Sequence, residues 1–151
     1  MRKFAGVFVV FFCCATAMAA DFTGTWKLNL AKSKMRSAEI TAETLTIEKT
    51  GPNSYRSTVD ITSASGKKSH FSVDRVYDGQ EHAYKSSDAG VPRNGSEICQ
   101  FVAGGGRKIT FKTDGSVVAT MTSTLSGDGH TITNLHSDAR GEDLLVYDRE
   151  N

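Results

Sequence analysis

Disulfide bonding has almost nothing to work with in this chain. It has three cysteines in 151 residues, and Cys13 and Cys14 both lie in the N-terminal apolar stretch. That stretch, Phe4 to Cys14, follows Met1-Arg2-Lys3 and precedes the small residues Ala15, Ala17, Ala19 and Ala20. It is too short to span a bilayer, which takes about 20 apolar residues. A charged start, a short apolar run and an Ala-x-Ala end have the form of a secretory signal peptide. The reading is that residues 1–20 are removed by cleavage near Ala19 or Ala20 and that the protein is secreted or periplasmic. A lipid anchor through Cys13 or Cys14 is the alternative, disfavoured by the bulky Phe11 and Phe12 before them. Residues 21–151 then form one domain, with Cys99 as the lone thiol. A disulfide within the chain is excluded, so the core must hold the fold. Cys99, in Glu97-Ile98-Cys99-Gln100-Phe101, reads as a small buried hydrophobe.

Charge of one sign is also lacking. Without Arg2 and Lys3, the 18 basic and 17 acidic residues become 16 and 17, a net charge of −1. This leaves no electrostatic footprint for nucleic acid. The densest basic pairs, Lys67-Lys68 and Arg107-Lys108, flank glycine-containing turns and read as solvated turn charges. There is no second domain, linker, low-complexity tract or fixed repeat.

What the chain does have, from Phe22 onward, is a period of two. Thr, Val, Ile, Tyr and Phe alternate with polar residues between Gly, Asn and Asp punctuation, the pattern of short strands joined by hairpins. Strands are expected near 22–30, 42–50, 54–62, 67–78, 81–86, 96–103, 107–113, 115–126, 130–138 and 143–149. Turns are expected at Gly51-Pro52-Asn53, Asp78-Gly79, Gly104-Gly105-Gly106, Asp114-Gly115 and Gly127-Asp128-Gly129. Residues 31–40 read as a helical turn or a loop. Tyr55, Ser57, Val59 and Ile61 share one face, and Phe71, Val73, Arg75 and Tyr77 continue it, with Ile109 and Phe111. A sheet with one apolar face buries it by closing or by pairing with another sheet. The fold class is therefore all-β: a single up-and-down antiparallel barrel of 8–10 strands.

The opening strand Phe22-Thr23-Gly24-Thr25-Trp26-Lys27-Leu28-Asn29-Leu30 resembles that of the calycin superfamily, whose lipocalins and fatty-acid-binding proteins carry Gly-x-Trp there. The run Gly24 to Met35 resembles small exported bacterial lipocalin-like domains. The resemblance implies that Gly24 lets the chain cross the barrel base closely and that Trp26 plugs it. Asp143 to Arg149 is similar to the closing strand of fatty-acid-binding proteins, where an Arg-x-Tyr holds the ligand carboxylate. Leu145 stands at the Arg position and Tyr147 is kept. Residues 31–41 are too short for the helical lid of those proteins, so an open-mouthed, lipocalin-like barrel is expected.

Arg75 is the one ionisable residue that this reading puts on the inner face of a strand. With Tyr77, Tyr147, Tyr55, Phe71 and Phe111 it forms the candidate ligand site, Arg75 receiving an acidic or carbonyl head. Its alternatives are to reach solvent at the rim or to pair with a nearby acid. His70, His82, His130 and His136 lack ligand spacing and read as surface histidines, so no metal site is expected. No Gly-x-Ser-x-Gly elbow or paired carboxylates mark catalysis, and Gly104-Gly105-Gly106 precedes a strand where a phosphate cradle needs a helix. The expected function is a monomeric, non-enzymatic binding protein without cofactor that holds a small hydrophobic or amphipathic ligand. Two alternatives stay open: a filled barrel acting through its surface as an interaction or inhibitor protein, and a small barrel enzyme using two or more of Arg75, Tyr77, His82 and Tyr147.

Overall fold

The computed structural model describes residues 21–87 and 94–150; the expected signal peptide and Pro92 lie outside the described residues. Eleven strands follow one another: β1 (Gly24–Leu28), β2 (Ile40–Lys49), β3 (Ser54–Ser63), β4 (Lys68–Val76), β5 (Glu81–Ala83), β6 (Lys85–Ser86), β7 (Gly95–Phe101), β8 (Arg107–Thr113), β9 (Ser116–Leu125), β10 (Thr131–Asp138) and β11 (Gly141–Arg149). They form one antiparallel sheet in the order β5-β7-β8-β9-β10-β11-β1-β2-β3-β4-β6. Sequence neighbours pair almost throughout, and β1 pairs with β11, making a nearly closed up-and-down barrel. The eleventh strand arises where one was expected over 81–86. Residues 81–83 pair with β7, whereas 85–86 pair with β4, so the chain changes partner at Tyr84. A single segment thus stitches the seam between β4 and β7.

Alternation sets the inner face as expected. The β8–β9 hairpin shows how local chemistry fixes register: Asp114 and Gly115 both have positive φ (49° and 76°) between the paired Thr113 and Ser116. Two left-handed residues in a two-residue loop match the twist of the flanking strands. A β-bulge follows at Phe111/Lys112.

Residues 31–39 form a turn and a strap and contain no helix. Lys34 bridges to Leu144, and the Ser33 hydroxyl takes the Val146 N–H at 2.9 Å. Arg36 clamps the strap by bonding both Asp138 (2.8 Å) and Asp143 (2.6 Å) at the β10–β11 end. Hydrogen bonding to Arg36 holds both carboxyls below the usual aspartate range.

The opposite end is closed. Trp26 is fully buried, and its Nε1 donates to the Phe22 carbonyl at 3.1 Å. The core around it comprises Phe22, Leu45, Ile47, Tyr55, Tyr77, Ile109, Ile132 and Tyr147. Cys99 is buried with them, and its thiol is pushed up to about 12 by desolvation and the Glu97 charge.

Candidate functional site: the barrel interior

Inside the barrel is a cavity of about 250 Å³. Leu45, Ile47, Val59, Phe71, Ile109 and Phe111 are among its apolar walls. Five of the six residues expected at the site, Phe71, Arg75, Tyr77, Phe111 and Tyr147, line it. Tyr55 is not among its lining; it packs edge-on to Tyr77, ring centres 5.6 Å apart.

Arg75 takes the pairing alternative. Its Nε donates to Glu97 Oε2 at 3.2 Å across the β4–β7 seam, with side chains only 10% and 3% exposed. Desolvation raises the Glu97 carboxyl, and the Arg75 charge holds it partly down. Arg75 borders both the cavity and a crevice of about 310 Å³ on the outside of the seam, which Glu97 and Cys99 also line. Its guanidinium is therefore already engaged. Tyr147 is likewise occupied, its hydroxyl donating to Glu43 Oε1 at 2.7 Å. Desolvation raises the Glu43 carboxyl against that bond. The closing-strand tyrosine thus has a carboxylate partner within the barrel.

Two expectations are corrected here. Arg75 is not the one ionisable residue facing inward, since Glu43 and Arg107 line the same cavity. Arg107, expected as a solvated turn charge beside Lys108, is 3% exposed. Its guanidinium carbon lies 4.3 Å from the ring centre of Phe22, 4.1 Å from Tyr55, 4.9 Å from Tyr77 and 5.8 Å from Phe101. Four aromatic rings stabilise the buried cation through their negative faces. The signal was present: Arg107 shares parity with Ile109 and Phe111, but the adjacent glycines made it look like part of a turn. Next to it across β9 and β10 stand Ser123 and Asn134, in direct register with it and with each other, both buried and both lining the cavity.

His136 is a third correction. Read from the sequence as a surface histidine, it shares the inward parity of Asn134 and lines a recess of about 470 Å³ beside the strap, with Arg36, Glu39, Arg140 and Asp143. His70 pairs with Asp60 and His82 with Asp78, both exposed. Of the groups named for a barrel enzyme, Arg75, Tyr77 and Tyr147 line the one cavity, but Arg75 is bonded to Glu97 and Tyr147 to Glu43, and His82 bonds the exposed Asp78.

The chain matches no family model and none of the curated proteins. Solved structures do match. The wild-type fluorescent protein UnaG superposes with a TM-score of 0.65 at 14% identity, over 88% of this chain and 100% of that one. Fatty-acid-binding protein 1 of Echinococcus granulosus gives 0.58 at 12% identity, over 86% and 98%. The fold is the antiparallel up-and-down β-barrel that these two structures share. At such identities the likeness speaks for the fold alone.

Proposed function

We propose that this protein is an exported carrier that holds one small apolar or amphipathic molecule inside its barrel. The observation that carries the reading is the interior cavity, apolar over much of its wall yet bordered by the half-buried Glu43 and the buried polar groups of Arg107, Ser123 and Asn134. Ligand pockets combine an apolar lining with a few placed polar groups in this way, typically over about 300–1,000 Å³. The cavity of about 250 Å³ sits just under that range and suits a small occupant. Likeness to a protein named for fatty-acid binding supports the same reading. Export rests on the N-terminal segment, and the open-mouthed exported lipocalin-like type is favoured by a strap in place of a helical lid.

The test is native mass spectrometry of the purified protein, followed by thermal-shift measurements with lipids, haem and aromatic acids. A bound small molecule, or a melting temperature raised by one ligand class, is the expected result. A bare protein with no shift across the panel rejects the carrier and leaves the barrel to act through its surface.

A further inference from the structure

We infer that Arg107, Ser123 and Asn134, side by side at the closed end of the barrel, receive the ligand's head group, and that this head is a carboxylate with a neighbouring hydroxyl or N–H donor. The inference rests on the carrier reading and deepens it.

Arg107 differs from every other arginine among the described residues. Arg36 binds two aspartates, Arg56 binds Asp74, Arg75 binds Glu97, Arg140 binds Asp138 and Arg149 binds backbone carbonyls. Arg107 has no carboxylate partner among the described residues, and its buried Nε has no hydrogen-bond acceptor. The rings around it stabilise the charge but supply no lone pair to Nε–H. Asp21 feels its charge but is exposed and bonds Thr23. A buried guanidinium without an anion is costly, and planar N–H groups suit a carboxylate best.

Asn134 supplies the second, independent observation. Its Oδ1 is buried without a donor among the described residues. Ser123 lies between the two in register and can donate or accept. An acceptor-only head satisfies Arg107 and leaves Asn134 orphaned, whereas a carboxylate with an adjacent O–H or N–H satisfies both. Size sets the other limit: about 250 Å³ holds roughly eight waters at ~30 Å³ each, room for a medium chain.

The experiment is isothermal titration of the purified protein with 3-hydroxydecanoate, decanoate and 1-decanol. The expected order of affinity is hydroxy acid, then acid, then alcohol. Arg107→Met weakens both acids roughly 10- to 100-fold and spares the alcohol, as loss of a charge-assisted hydrogen bond requires. Arg107→Lys, which keeps the charge without the planar fork, retains part of the acid affinity. Asn134→Leu brings the hydroxy acid down to the level of decanoate. Arg56→Met, which removes an exposed ion pair with Asp74 away from the cavity, leaves the order unchanged. The wild-type order is informative even if a variant does not fold. Equal binding of acid and alcohol, or decanoate affinity indifferent to Arg107→Met, overturns the head-group assignment while the carrier stands. No binding of any of the three, together with a negative ligand panel, overturns the carrier itself.

Discussion

The Arg149 guanidinium lies over the Trp26 ring, 4.1 Å from its centre, and ties the last strand to the first at the closed end of the barrel. Its N–H groups donate to the carbonyls of Thr23 (2.8 Å) and Gly129 (2.9 Å), and the Trp26 ring beneath is fully buried. Gly24 makes this possible. A Cβ there would sit 2.7 Å from Arg149 Nη1, and its φ of +125° is one that L side chains rarely adopt.

Gly24→Ala should therefore destabilise by about 1–3 kcal/mol through backbone strain alone, with the displaced guanidinium adding to it. Trp26→Ala should cost about 3–5 kcal/mol. Denaturant unfolding measures both. As the only tryptophan, Trp26 should show blue-shifted emission that resists quenching by iodide in the native protein. A water-exposed spectrum contradicts the packed base.

At the seam, Glu97→Ala leaves the Arg75 guanidinium buried without its anion and should cost about 3–5 kcal/mol. Replacing both partners with apolar residues should recover most of that loss. The check is a double-mutant cycle by chemical denaturation. A single-variant cost below 1 kcal/mol would place the pair energetically at the surface.

Burial raises Glu43 and Glu97 above the ordinary glutamate value of 4.5. An acid with a raised folded pKa binds more protons when folded, so these two groups add stability as pH falls through their folded values toward 4.5. Asp138 and Asp143 act with the opposite sign, since both are lowered by Arg36 and their contribution is lost only on acidification below 3.8. Stability should hold or rise from neutral pH toward 4.5 and fall below 3.8. Glu97→Gln should remove part of the rise, measured by urea midpoints across pH.

Arg36→Ala should release the strap. The Lys34 N–H bonds the Leu144 carbonyl at 2.7 Å, and the Arg36 N–H bonds Asp143 at 2.7 Å. Hydrogen exchange at these two amides should accelerate, and ligand on- and off-rates should rise together. Unchanged protection means that the strap is held by backbone pairing alone.

Cys99, with its thiol pushed up to about 12, should resist alkylation by iodoacetamide at pH 8 until the protein is unfolded. Peptide mapping before and after denaturation reads this directly.

The period of two and the turn residues between strands determined the architecture, because side-chain alternation and left-handed turn residues are local properties of the chain. They located nearly every strand and the inward set Tyr55 to Ile61 and Phe71 to Tyr77, whereas the closing role of Trp26 was implied only by the resemblance of the opening strand. Which charges become buried was decided only by tertiary structure. Arg107 and Arg75 have the same inward parity, yet Arg75 meets Glu97 from a strand 22 residues away, whereas Arg107 meets four rings and, among the described residues, pairs with no acid. The partner of an inward charge is set by how the barrel closes and which residue the opposite strand brings to the same depth. That depends on long-range register and on the partner switch at Tyr84, neither of which leaves a mark in local sequence.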